Sequence, residues 1–309
     1  MSFSVVGIGE VLWDLLPMGP QLGGAPGNFA CHARALGAEA AVVSRVGNDD
    51  PGRRILERFE KMGLASDTIQ VDPLAPTGSA SVTLDSLGIP RFKFQEQVAW
   101  DGLVLTPYLL ELFRGTHAIC FGSLGQRNPV SRKTIQRLLA AASPSALRVF
   151  DINLRDRFYS REIIQQSLGL ANVLKLNSDE LMVLAELFSI TGSQQNQMQR
   201  LADMFELKVV ALTCGERRSL LYAEGVWSEQ IPAPTPVVDT VGAGDSFTAA
   251  LVIGLLARKP LGETHAFANA VAGFVCSQAG ATPPLPAAFC SNSSTQSIQA
   301  RASSCERRR

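Results

Sequence analysis

The sequence predicts an α/β fold: a mostly parallel central sheet covered by helices on both faces, with a smaller group of strands set apart from it. Three observations predict this. Short apolar, β-branched runs alternate with helically spaced patterns for most of the chain. Those runs read as buried strands, the kind that parallel sheets covered on both faces require. Two segments, 11–24 and 77–98, interrupt the alternation with strand-and-turn patterns of their own.

Residues 3–9 form the first apolar run, ending in glycine. Phe29, Ala33 and Leu36 then share one face of a helix over 26–36, which Gly37 closes. A second strand follows at 40–46. Pro51 opens a helix that aligns Ile55, Phe59 and Met62, with Gly63 after it. Further buried strands are expected at 117–121, 147–151, 172–176 and 208–213, and helices near 131–141, 161–169, 178–187 and 195–205. Gly88 and Pro90 mark a hairpin within 77–98, so the inserted strands would form a lid. Beyond Pro286 the chain turns serine-rich and ends in three arginines without an apolar period. That predicts a folded body over 1–286 and a disordered tail over 287–309.

Composition excludes several classes. With 46% hydrophobic and 18% charged residues in 309, the chain can bury a sizeable core. Its 28 basic and 28 acidic residues cancel, so no overall positive field recruits nucleic acid or anionic lipid. The longest apolar run, around 248–257, is too short to cross a bilayer. The start of the chain has no cationic stretch of the secretory kind. The 6 cysteines are scattered without a C-x-x-C pair, which predicts neither a zinc site nor a disulfide framework and fits a reducing cytoplasm.

The strongest chemical signal is the run from Asp239 to Asp245, in which Gly242, Ala243 and Gly244 precede a good helix. A small-residue turn at a helix start offers backbone N–H groups and the positive end of the helix dipole to an anion. Asp245 at such a place reads equally as a helix cap or as a general base that takes a proton from an attacking hydroxyl. A second cluster, Gly23, Gly24, Ala25, Pro26, Gly27 and Asn28, permits close backbone approach, and Asn28 can both donate and accept toward a polyol. Asp14, between Trp13 and Leu15, could accept from two sugar hydroxyls. Rival phosphate sites fail. After Gly7 and Gly9 the third position of a G-x-G-x-x-G fingerprint is Leu12, and no Gly-Lys pair occurs for a P-loop. His32, His117 and His265 lack metal-ligand spacing, and no G-x-S-x-G elbow is present.

Together, in this order and separation, the two glycine motifs resemble the signatures of the ribokinase-like, or PfkB, carbohydrate kinases, and the resemblance runs through residues 3–286. It implies a three-layer α/β/α body with a small β-strand lid, and transfer of the γ-phosphoryl group of ATP to the primary hydroxyl of a sugar. By this resemblance Asp245 is the base, and Gly242, Ala243 and Gly244 form the anion hole, which also faces the nucleotide. Asp14, Gly23, Gly24 and Asn28 hold the sugar. Asn177 and Glu180 organise magnesium, largely through water. Thr213 and Gly215 line the nucleotide, with Asn269 beside the adenine. Carbonyls near Asp239 and Val241 are where relatives hold a monovalent cation such as potassium. The stretches 9–14, 121–124, 150–155 and 175–177 look like bacterial and plant fructokinases, which puts Arg155 at the sugar or phosphoryl group and Lys175 near the phosphates. D-fructose is then the leading acceptor, with 2-keto-3-deoxygluconate, ribose or a nucleoside as alternatives and a non-catalytic regulatory or assembly subunit as the rival class. Arg217 and Arg218 stand where many relatives have glycine. Val82, Leu84, Phe92 and Phe94 read as exposed apolar positions through which the lid could pair two subunits into a homodimer.

Overall fold

The structure is a computed structural model that describes residues 2–16, 19–84, 90–155 and 157–291. Its strands are β1 (Ser4–Ile8), β2 (Leu12–Leu16), β3 (Gly19–Gly23), β4 (Glu39–Gly47), β5 (Ile69–Asp72), β6 (Gly78–Leu84), β7 (Pro90–Phe94), β8 (Ala118–Phe121), β9 (Leu147–Asp151), β10 (Val173–Asn177), β11 (Val209–Thr213), β12 (Ser219–Ala223) and β13 (Val226–Gln230). The helices are α1 (Ala25–Ala35), α2 (Asp50–Lys61), α3 (Pro107–Gly115), α4 (Pro129–Ala141), α5 (Arg161–Leu170), α6 (Ser178–Leu187), α7 (Gln194–Phe205), α8 (Ala243–Leu256), α9 (Leu261–Cys276) and α10 (Ala287–Ser291).

The central sheet runs β13-β12-β11-β10-β9-β8-β1-β4-β5, parallel except for the β12–β13 hairpin at one edge. The chain first winds outward from β1 through β4 to β5, then returns to β8 on the other side of β1 and winds the opposite way. That reversal opens a crevice at the carboxyl ends of β1 and β8, where sheets of this kind bind ligands. A second sheet, β3-β2-β6-β7, is built from the two segments that broke the alternation.

Side-chain alternation along the strands sorts the core into two layers. Val5, Ala118, Val149, Val173 and Ala211 pack with α1, α8 and α9, whereas Val6, Ile119, Phe150, Leu174 and Val210 pack with α3 to α7. The same parity carries Asp151 and Thr213, at the carboxyl ends of their strands, and Lys175, in the middle of β10, to the face covered by α8.

Most helix starts carry a side-chain cap, α9 after Pro260 being one without. Six helices, α2 to α7, begin on a side chain that accepts a backbone N–H, from Asp49, Thr106, Asn128, Ser160, Asn177 and Ser193. The two aimed at the crevice do not: α1 begins on Gly24 and α8 on Gly242, each at positive φ and without a side-chain cap. No side chain of the cap residue covers their first turns, although the Ala25 amide meets the Glu10 carboxylate and the Ala243 amide donates to the Thr240 carbonyl over 3.3 Å.

Two expectations need correction. The tail does not become irregular at 287, because Ala287–Ser291 is helical and Phe289 packs on Phe267 and Phe274; the aromatic residue and the two alanines before it were hidden in sequence by the serine-rich stretch behind them. Residues 292–309 lie outside the described residues. Phe94 is not exposed: it is buried with Leu12, Ala80, Val98 and Trp100 beneath the second sheet and meets Phe158 edge-on. The side chains of Val82, Leu84 and Phe92 lie outside the described residues.

Candidate active site

Asn28 and Asp245 come from opposite ends of the chain and meet: Asn28 Nδ2 donates to Asp245 Oδ2 over 2.8 Å. The contact exists because α1 packs along α8, and both helices begin at the crevice. Gly24 makes the entry into α1 feasible. Its φ is 111°, and a Cβ there would lie 2.4 Å from the Glu10 carbonyl oxygen. At α8, Gly242 has φ 78° and sits so close to Ala281 that a Cβ would be 2.1 Å from its carbonyl oxygen. His32 of α1 holds that same carbonyl, with Nε2 at 2.9 Å. The two glycine motifs are therefore braced against one another through Asn28 and through His32.

Asp245 is the third residue of α8 and caps nothing; the cap position belongs to Gly242. Its pKa is raised to about 6, chiefly by burial and then by the charge of Asp151, against the lowering effects of Asn28, Lys175 and Arg155. Below it, Lys175 Nζ pairs with Asp151 Oδ1 at 3.1 Å, both side chains buried. The Thr248 hydroxyl donates to the other Asp151 oxygen over 2.8 Å. Burial disfavours the ammonium, but the carboxylates of Asp151, Glu180 and Asp245 outweigh it and hold the Lys175 pKa above its ordinary value. The site thus keeps a permanent cation under the first turn of α8 and a carboxylate at its mouth.

On the second sheet Asp14 lies over Gly23, whose missing Cβ would come 2.2 Å from Asp14 Oδ2. Burial raises the Asp14 pKa to about 6, opposed by Arg155. Arg155 acts electrostatically on Glu10, Asp14 and Asp245 alike, which places it as the shared counter-ion of this end of the crevice. Glu10 is 2% exposed, burial pushes its pKa up to about 7, and its Oε2 has no hydrogen-bond partner.

On the far side of the α8 start lies a cleft of about 760 Å³, lined among others by Thr213, Gly215, Ser219, Ala243, Gly244 and Asn269. Gly215 has φ 61° at the turn after β11. Arg217 also lines the cleft, while Arg218 turns away to Glu229 and Gln194.

Asn177 and Glu180 form a reciprocal cap on α6. Asn177 Oδ1 accepts from the amides of Asp179 and Glu180, and Glu180 Oε2 accepts from the Asn177 amide over 2.8 Å. Glu180 Oε1 takes the amide of Leu154 at 3.0 Å. With each acceptor already engaged, these residues fit magnesium held through its water shell and not by direct ligation. Among the described residues no group of three His, Cys, Asp or Glu is placed to cage a metal ion, and magnesium borne on nucleotide phosphates does not need one. Asp239 joins its loop to the segment after α9, accepting from the amides of Val241 at 3.0 Å and Gly280 at 3.1 Å.

Glu10, Asp151, Thr248 and His32 belong to this site and carried no assigned role in the sequence. Glu10 and Asp151 lay in the stretches that look like fructokinases, but a charged residue after an apolar strand is equally well a solvated strand end, and His32 and Thr248, inside helices, carried no sign of a role.

Comparison with known proteins completes the picture. The chain is 29% identical to fructokinase-1 of Zea mays over 308 residues, covering 91% of this chain and 94% of that protein. An uncharacterized sugar kinase from Pyrococcus horikoshii, solved in complex with ATP, superposes with a TM-score of 0.79 at 26% identity, covering 91% of this chain and 94% of that one. A fructokinase from Xylella fastidiosa with bound ATP has the same fold, with a TM-score of 0.81 at 23% identity and coverage of 98% and 100%. The model of the pfkB family carbohydrate kinases matches residues 18–288, a span that holds both braced glycine motifs and the buried lysine between them. The fold is ribokinase-like, and the chain belongs to the pfkB family of carbohydrate kinases.

Proposed function

We propose that the protein transfers the γ-phosphoryl group of ATP to the primary hydroxyl of a sugar, with D-fructose, giving fructose 6-phosphate, as the acceptor that its named relatives favour. The observation that carries this reading is the hydrogen bond from Asn28 to Asp245, which sets a carboxylate at the open N-terminus of α8 with one oxygen held and the other free to take a proton.

ATP would lie in the cleft past Thr213 and Gly215, where Ala243 and Gly244 line the wall, its terminal phosphate at the turn of Gly242, Ala243 and Gly244 that starts α8. Asp14, Gly24 and Asn28 orient the sugar, with Gly23 leaving the space that the Asp14 carboxylate fills. The sugar hydroxyl gives its proton to Asp245 as its oxygen bonds to the γ-phosphorus. The bond from that phosphorus to the ADP oxygen breaks, and Asp245 returns the proton to solvent once product leaves. Charge growing on the transferring group meets the helix amides, the Lys175 ammonium and Arg155. Magnesium borne on ATP would neutralise charge on the phosphate oxygens, and Glu180 and Asn177 would hold it through its waters. The second sheet covers the sugar and excludes water as a competing acceptor. A cytoplasmic setting is part of this reading, from scattered cysteines that include no C-x-x-C pair.

The test is ADP release with Mg-ATP and fructose, ribose, glucose, 2-keto-3-deoxygluconate, a nucleoside or no acceptor. Fructose-dependent release that Asp245→Asn abolishes supports the whole reading. A tenfold higher kcat/KM for another acceptor replaces the substrate and keeps the mechanism. No release with any sugar from folded protein overturns it.

A further inference from the structure

A chain of side-chain hydrogen bonds runs from the edge hairpin into the wall of the nucleotide cleft, and its polarity is fixed at every link. It starts at a backbone carbonyl, which can only accept. Gln230 Nε2 donates to Gly262 O over 2.9 Å, so the Gln230 atom facing Asn269 is the oxygen Oε1. Asn269 therefore presents Nδ2 to it, at 3.3 Å, and turns Oδ1 toward Ser219. The Ser219 hydroxyl donates its one hydrogen to Oδ1 over 2.9 Å and must accept from His265 Nε2, 2.7 Å away. His265 is thereby held in its Nε2–H tautomer, and its Nδ1 accepts from the Ser228 hydroxyl at 2.8 Å. His265 is fully buried and Ser219 is 2% exposed, so water does not compete for the link between them, while Ser228, Asn269 and Gln230 are half-buried. Asn269 and Ser219 both line the cleft.

We propose that this chain, Ser228–His265–Ser219–Asn269–Gln230, locks the orientation of the Asn269 amide and so makes the cleft select adenine over guanine nucleotides. The inference rests on the ATP reading given above. An asparagine free to turn over pairs with either purine. Adenine offers a donor at its 6-position beside an acceptor ring nitrogen, and guanine offers the reverse, so a 180° flip of the amide serves both. Fixed at both ends, Asn269 keeps one acceptor lone pair and one N–H for a ligand in an unchangeable order. Asn269 is then the reading residue. Ser219, His265, Ser228 and Gln230 are positioning residues that touch no nucleotide in this role, Ser219 acting through Asn269 although it borders the cleft.

Binding of Mg-ATP and Mg-GTP to the full chain, measured by calorimetry without sugar, tests the lock separately from phosphoryl transfer. The wild type is expected to bind ATP at least about tenfold more tightly than GTP, the discrimination of one bidentate purine contact. Ser219→Ala is expected to narrow that ratio to roughly threefold or less by strengthening GTP binding, and Ser219→Thr to restore it. Because Ser219 is buried, Ser228→Ala and Gln230→Ala, at half-buried ends of the chain, provide the same test with less risk to folding. In parallel, nitrogen-15 spectra of the wild type should show His265 as the Nε2–H tautomer. Equal affinities for ATP and GTP in the wild type, an Nδ1–H tautomer at His265, or an unchanged ratio in folded Ser219→Ala and Gln230→Ala would each overturn the lock. A wild type that prefers ATP, with an unchanged ratio in the variants, sinks the lock but leaves the kinase reading intact. Failure to bind any nucleotide removes both.

Discussion

A methyl group on Gly244 would sit 2.9 Å from the Lys175 ammonium nitrogen, so the absence of a side chain at 244 is what lets a buried cation lie directly under the first turn of α8. Glycine at 242 answers a different demand, since a Cβ there would strike the backbone of Ala281 at 2.1 Å. The two alanine variants should separate accordingly. In Gly244→Ala the flexible lysine end moves aside, so the fold holds while kcat falls, by roughly tenfold or more. In Gly242→Ala neither the φ of 78° nor the carbonyl can yield, and stability drops by about 2–4 kcal/mol. Urea melts beside steady-state assays check the split; equal loss of stability in both would contradict it.

Asp245→Asn keeps an oxygen for the Asn28 donor and removes the proton acceptor. Turnover should fall by about 10²–10⁴, with ATP affinity changed by less than about threefold. Retained turnover in a folded variant would take the base role away from Asp245.

The pH profile follows from the same carboxylate. Its pKa near 6 sets the acid limb of kcat/KM, with activity lost as pH falls through that value and the base becomes protonated. Asn28→Ala removes a hydrogen bond to the ionised form, so the limb should move to higher pH. An unmoved limb would show that another group controls it.

The raised pKa also has a stability consequence of definite sign. Asp245 binds its proton more tightly in the folded protein, where the pKa is about 6, than in an unfolded chain near 3.8. The ionised carboxylate therefore costs stability, by nothing below about pH 4 and by an increasing amount as pH rises through 6. Asp245→Asn should stabilise the protein at pH 8 by on the order of 3 kcal/mol and leave it nearly unchanged at pH 4. Thermal melts at the two pH values read this directly.

Much of the body was legible because its signals are local. The apolar runs at β1, β4, β8, β9, β10 and β11 and the helical spacings of α1, α2 and α4 to α7 lie within two residues of their expected bounds. The β12–β13 hairpin was missed because its turn uses Glu224 at φ 47° and Gly225 at φ 86°, and glutamate gives none of the warning that asparagine or aspartate before glycine would. Helix α3 was missed although Thr106 and Pro107 mark its start, because nine residues show little period. At the site, glycines at close approaches left a mark, while the partners of buried polar groups did not. Asp151 becomes meaningful only beside Lys175 and Thr248, and His265 only beside two serines. Nothing in the linear order announces such pairings.

The bond between Asn28 and Asp245 spans 217 positions. During synthesis Asn28 leaves the ribosome roughly 10–40 s before its partner. Through that interval the face of α1 that will cover α8 has nothing to pack against, and the carbonyl of Ala281 that His32 will hold does not yet exist. A nascent chain can therefore complete its sheet as far as β11 without possessing a base or an anion hole. On the proposed mechanism the base and the anion hole arrive only with α8 and the segment after α9, so a chain cut short between β11 and α8 would keep Asp14 and Asn28 and lack the group that is to take the proton.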